Sequence, residues 1–225
     1  MLPEGMININ GESVQVLQIL FLTTLITLLP SLMVMMTSFA KYVITLSFLR
    51  LAMGTQQTPP NTVLVGLALF LTLLTMQPVF SQIQTQALEP YQAEQIGEEE
   101  FIDRAAVPLK RFMLDNTEPE SLELYCGLAG IDTPTGEPSV ELPLHIVVPA
   151  FMTTELKEAF LIGFLLYIPF ILIDVVVATT LMSMGMIMLP PAMISTPFKL
   201  LLFISVNGWD LLFSSLVQSV GLGLP

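Results

Sequence analysis

Hydrophobic positions in this chain gather into long uninterrupted blocks separated by proline-rich breaks. A polar lead, residues 1–13, contains Asn8, Asn10 and Glu12. From Ser13 to Ala40 there is no charge, a run long enough to cross a bilayer as a helix. Pro30 lies within it and predicts a kink or division, because its ring removes a backbone donor. Lys41 to Gly54 reads as amphipathic, with Lys41 and Arg50 as its only charges. The string Gln56-Gln57-Thr58-Pro59-Pro60-Asn61 predicts a firm break, and a second uncharged run, Thr62 to Gln77, ends at Pro78.

Residues 81–145 are of another kind: polar, acidic and punctuated by Pro90, Pro108, Pro119, Pro134, Pro138 and Pro143. They predict short helices near 91–104, 107–115 and 119–129, then a loop containing Asp132-Thr133-Pro134-Thr135-Gly136. Hydrophobic character returns at Ile146-Val147-Val148-Pro149, and Met152-Thr153-Thr154-Glu155 has the spacing of a helix-opening capping box. Ala159 to Met188 is apolar except for Asp174, with Pro169 inside it. As a helix this stretch would be roughly 45 Å long against a hydrocarbon core of about 30 Å, so tilt, breakage or partial exit is expected. A last apolar segment, Ala192 to Val220, carries Lys199 and Asp210. The pattern divides the chain into a lead and first hydrophobic pair (1–80), an acidic insertion (81–145) and a second hydrophobic pair (146–225). The expected fold is an all-α, membrane-associated one, made of proline-broken hydrophobic hairpins and a small polar helical insertion.

The second pair turns on Met182-Ser183-Met184-Gly185-Met186-Ile187-Met188-Leu189-Pro190-Pro191. Four methionines stand on alternate positions, and alternate residues of a helix point about 200° apart, so they cannot form one packed stripe. They suit a bend where several flexible thioethers converge and can part again. The plainer reading is a membrane-helix end that happens to be rich in methionine.

Composition agrees with a membrane protein: hydrophobic residues are 53%, charged residues 12%, and mean hydropathy is +0.77. The formal charge of −12 argues against nucleic acid as a partner, since phosphate binding needs a basic footprint. Thirteen of the nineteen acidic residues lie between Glu89 and Glu141, accompanied only by Arg104, Lys110 and Arg111. A solvated face explains that concentration. One cysteine, Cys126, cannot form an internal disulfide, and the start lacks the basic flank of a signal peptide. Lys41 and Arg50 weakly favour a cytoplasmic first connection, with the insertion and both termini across the membrane.

Asp174 and Lys199 interrupt otherwise uncharged runs. A charge at the bilayer centre costs about 2.5–3.5 kcal/mol on insertion scales, so such residues face protein or water and find partners. Asp174 stands sixteen residues before the double proline and Lys199 eight after it, so a straight hairpin turning there would not align them. Lys199 would then seek another partner, with Glu155, Lys157 and Glu158 as candidates, or snorkel to water. Enzyme chemistry has little support: His145 is the one histidine, and no zinc cluster, nucleotide loop or nucleophile–base pair is visible. No cofactor is expected.

Several strings resemble the FliP family. They are Pro30-Ser31-Leu32-Met33, Phe48-Leu49-Arg50, Gly54-Thr55-Gln56-Gln57-Thr58-Pro59-Pro60-Asn61 and Val65-Gly66-Leu67-Ala68-Leu69-Phe70. In the second half they are Pro149-Ala150-Phe151, Thr154-Glu155-Leu156-Lys157, Pro169-Phe170-Ile171-Leu172-Ile173-Asp174, Met184 through Pro191, Pro197-Phe198-Lys199-Leu200 and Phe203 through Trp209. The resemblance runs from about residue 14 to 220 and is weaker over 81–145. It implies a subunit of the flagellar type III export gate, in the bacterial inner membrane and basal body with much of the chain on the periplasmic side. About five copies would join FliQ-like and FliR-like subunits and an FlhB-like export switch around a channel for unfolded flagellar substrates. It also implies gate residues Met184, Met186, Ile187 and Met188, where the family usually has three consecutive methionines and this chain has Ile187 in the middle. An intersubunit ion pair between Glu155 and Lys199 and a functional role for Asp174 come with it. Two other classes stand beside this reading. A small-molecule or ion transporter would place Asp174 and Lys199 on a substrate path, but the internal repeat of such folds is not evident. A purely structural membrane scaffold would leave the methionine run without a use.

Overall fold

The computed structural model describes residues 6–9, 12–55, 57–131, 140–186 and 188–220. The polar lead is not a featureless tail: β1 (Met6–Ile9) and β2 (Glu12–Gln15) pair as an antiparallel hairpin, with Ile7 opposite Val14 and Asn8 opposite Ser13. Among the described residues, every regular element after it is a helix. α1 (Val16–Met35) runs through Pro30, and the chain breaks instead at 36–38 before α2 (Phe39–Ala52). The expected break at Pro59-Pro60 does separate α2 from α3 (Asn61–Ile83).

Prolines inside the later helices do not act as terminators. α3 passes Pro78, and a π-helical turn (Gln84–Leu88) carries it into α4 (Glu89–Gln92), giving a continuous path of 32 residues from Asn61 to Gln92. The wide turn sits just ahead of Pro90, whose ring needs room against the preceding turn and which has no N–H to donate. The insertion contains α5 (Glu98–Asp115), which includes Pro108, and α6 (Pro119–Ala129), whose proline sits in the first turn where it costs no hydrogen bond. The helices expected at 91–104 and 107–115 are therefore one helix starting seven residues later, while that expected at 119–129 matches α6. The loop around Asp132–Gly136 lies outside the described residues.

α7 (Leu144–Ser183) is 40 residues long, about 60 Å, and runs through both Pro149 and Pro169. Met152-Thr153-Thr154-Glu155 does not open it; both threonines sit in its interior and return their hydroxyls to Pro149 O and Ala150 O. Tertiary packing overrides the local signal there. The last apolar run is likewise not one segment. α8 (Pro191–Ser205) and α9 (Gly208–Gln218) meet at 64°, with Asn207 in the left-handed conformation at the elbow. Phe203 meets Trp209 edge-on at 5.2 Å and Phe170 at 6.3 Å, fixing the elbow against α7.

The two halves of α7 live in different surroundings. Its first half buries Ile146, Val147, Ala150, Phe151, Thr154, Glu155 and Ala159. They pack against Tyr42, Leu46 and Leu49 of α2, Phe112 and Met113 of α5, and Leu122 and Cys126 of α6, in one core. The acidic insertion thus shares its core with both hydrophobic pairs. The second half leaves Phe164, Leu165, Leu172, Val176 and Met182 more than half exposed. Apolar faces of that extent mark contact with lipid or with other subunits. By length and composition, Asn61–Gln92 and Leu144–Ser183 can each cross a membrane, and α8 with α9 forms a third, broken candidate.

Candidate functional site: the methionine turn and the buried ion pairs

The link between α7 and α8 is built from the methionine stretch. α7 closes with a glycine-dependent cap: Gly185 has φ +78, its N–H donates to Met182 O, and Met186 N–H donates to Leu181 O. That pair of bonds is the Schellman arrangement, and the left-handed residue at its centre is readily supplied only by glycine. Pro190 and Pro191 then start α8, where a missing N–H costs nothing. The result is a projecting turn whose side chains point away from the body. Met184 is 67% exposed, Met186 45% and Met188 99%, so none of them belongs to this chain's own core. Ile187 lies outside the described residues.

Below the turn, Lys199 Nζ donates to Asp174 Oδ2 at 2.6 Å and to Ala52 O, at the end of α2, at 3.1 Å. Sequence spacing appeared to forbid the first contact because the turn was centred on Pro190-Pro191. In fact α7 ends at Ser183 and α8 begins at Pro191, so Asp174 lies nine residues before the turn and Lys199 eight after it. At 1.5 Å per residue the two side chains sit almost level. Gly54, with φ +75, brings the end of α2 in close: a Cβ there would stand 3.3 Å from Thr196 Oγ1 and 3.9 Å from Lys199 Nζ. Lys199 therefore ties α2, α7 and α8 together while buried, whereas Asp174 is 41% exposed.

A second cluster lies between α2 and the first half of α7. Lys41 and Glu155 are 1% and 0% exposed, with Nζ 2.8 Å from Glu155 Oε1. Lys41 also donates to Glu158 Oε2 at 2.8 Å. Lys41 is the one cation against Glu155 among the described residues, and the carboxylate has few other donors around it. A buried carboxylate with so few donors depends on its counter-ion. Sequence patterning missed this role of Lys41, which stands 114 positions from Glu155; the one available signal was a lysine on an otherwise uncharged flank. Lys157, beside Glu155, turns outward to Glu118 and Glu120. His145 is exposed at the start of α7, and no metal-ligating cluster occurs among the described residues. Asp210 is exposed in the first turn of α9.

Long apolar helices with exposed faces, charges withdrawn into interhelical pairs and a projecting apolar turn define a helical, membrane-associated protein. The chain belongs to the FliP family, whose model matches residues 22–216. It is 48% identical over 210 residues to the flagellar biosynthetic protein FliP of Aquifex aeolicus, covering 93% of this chain and 88% of that one. The Bacillus subtilis protein of the same name is 48% identical over 202 residues, covering 90% of each chain. That of Pectobacterium carotovorum is 50% identical over 202 residues, covering 90% of this chain and 78% of the relative. Membership places the chain among flagellar biosynthesis proteins of the export apparatus rather than in a known enzyme family.

Proposed function

We propose that this chain is a core subunit of the flagellar type III export gate and that its methionine turn closes the export channel. The observation that carries the reading is the turn itself. Met184, Met186 and Met188 are exposed at the tip of a hairpin whose stems are fixed by Lys199, and they have no packing role within the chain. Several such turns brought together would form an apolar collar. A collar of this kind excludes ions and water by dewetting, and methionine's flexible thioether lets it yield to a passing unfolded polypeptide. Ile187 keeps apolar bulk with less freedom, so the collar is stiffer than an all-methionine one. The setting is the bacterial inner membrane and flagellar basal body, with much of the chain on the periplasmic side. About five copies assemble with FliQ-like and FliR-like subunits and meet an FlhB-like switch. Exposed second-half residues of α7 supply apolar surface for those contacts.

Assembly through Glu155 and Lys199 exchanges partners. Within one chain these residues are held by Lys41 and Asp174, and both are almost fully covered. Their meeting across a subunit boundary requires each to leave its in-chain partner. Asp174 then acts as the holder of Lys199 before assembly.

The native mass of the detergent-extracted protein, alone and with its small hydrophobic partners, tests the reading. A discrete multimer near five copies that grows by defined steps is expected. A monomer under both conditions would return the chain to the transporter alternative, with Asp174 on the path.

A further inference from the structure

Among the cations of the two hydrophobic pairs, Lys41, Lys157 and Lys199 each sit against a carboxylate. Arg50 has no ion-pair partner among the described residues. It lies in the last turn of α2, where Nη1 donates to Asn61 Oδ1 at 2.5 Å and to Pro59 O at 3.4 Å. Those bonds occupy one of the three guanidinium nitrogens. Accepting through Oδ1 leaves the Asn61 carboxamide its NH2 group to donate. Arg50, Gln57, Pro60 and Asn61 together line an open recess of about 310 Å³. Its side-chain donors are a guanidinium and two carboxamides, and its lining includes no carboxylate. Such a set suits an anion.

The recess stands at the start of the 32-residue apolar path Asn61–Gln92, and the acidic insertion begins at the other end, about 48 Å away. A cation at the end of a membrane-crossing helix lies at headgroup depth, where lipid phosphates are the nearest anions. From Asn61 the chain continues through Val65, Leu69 and Leu73 at four-residue spacing, each about half exposed. Residues four apart form one ridge along a helix, so the polar recess runs directly into an apolar ridge. Asn61 to Leu73 spans about 18 Å, slightly more than half of a hydrocarbon core of about 30 Å. That is the depth of one leaflet.

We propose that this recess and ridge hold one phospholipid with an anionic headgroup. Its phosphate lies against Arg50, Gln57 and Asn61, and an acyl chain follows Val65, Leu69 and Leu73. Guanidinium presents its N–H groups in pairs that match phosphate oxygens, which lysine does not. A partner's carboxylate would answer the charge but leave the ridge uncovered. The site is complete within one chain, so it requires that α3 crosses the membrane and not that the protein is an export gate.

Native mass spectrometry of the detergent-extracted full chain tests it, with phosphatidylglycerol, phosphatidylcholine of the same acyl chains and inorganic phosphate as probes. Phosphatidylglycerol should be retained at least about fivefold better than phosphatidylcholine, the preference that one cation near lipid supplies. Inorganic phosphate should not displace it. Arg50→Gln should abolish the preference, and Arg50→Lys should recover only part of it. Asn61→Asp separates binding from loop structure, because it keeps an acceptor for Arg50 while setting a negative charge in the recess. It should abolish the preference with no loss of thermal stability. Equal retention of the two lipids, or a preference that survives both Arg50→Gln and Asn61→Asp, would overturn the site. Displacement by inorganic phosphate would overturn the lipid as its occupant. A multimer lost in Arg50→Gln with lipid preference unchanged would give Arg50 to a protein carboxylate instead.

Discussion

Replacing Lys41 with methionine lowers the unfolding free energy by about 3–5 kcal/mol, the loss expected when one partner of a buried ion pair is removed. Lys41 and Glu155 are both inaccessible, and Lys41 is the cation that holds Glu155. Methionine keeps most of the volume and the unbranched stem, so the loss reports the charge rather than a cavity. Glu158 is 35% exposed and can turn to water, which is why the burden falls on Glu155. The double change Lys41→Met with Glu155→Gln should recover most of the loss, since no buried charge is left alone. Denaturant titration of the extracted protein reads both numbers. Equal stability of Lys41→Met and the parent would mean that Glu155 is solvated or neutral in the folded protein.

Charge reversal at Lys199 separates two roles that the geometry assigns to one side chain. Lys199→Glu sets two carboxylates together at the base of the methionine turn and strips a donor from Ala52 O. Hydrogen bonds to charged groups contribute about 1.5–3 kcal/mol each, less where one partner is in water as Asp174 is. Adding Asp174→Lys should restore the stability of the single chain. Adding Glu155→Lys instead should restore part of the multimer. Stability and native mass, measured on the same variants, therefore follow different partners. Recovery of both by Asp174→Lys alone would remove the intersubunit pair from the account.

Much of the organisation is legible in the sequence. Uninterrupted apolar blocks, the double prolines and the acidic insertion follow from composition and spacing, and long strings such as Met184 through Pro191 carry the family. Helix ends were not legible. Pro78, Pro108, Pro149, Pro169 and Pro197 lie inside helices, because surrounding packing holds those helices together despite each missing N–H. The capping-box spacing at Met152–Glu155 was misleading for the same reason: Thr153 and Thr154 bond back to their own helix, and Glu155 is claimed by Lys41. The Asp174–Lys199 contact is hidden in the sequence because the double proline does not mark where α7 ends. A turn that begins at Gly185, well before the double proline, changes which residues are level.

The central claim is that the exposed methionines seal a channel, and the most direct test is the small-ion permeability of membranes containing the fully assembled complex. Met186→Ala with Met188→Ala removes most of the apolar bulk at the tip, where neither residue supports this chain's core. Permeability should rise sharply, and Met188→Leu, which keeps the bulk, should leave it low. An unchanged permeability of the double-alanine complex, with assembly intact, would contradict the account.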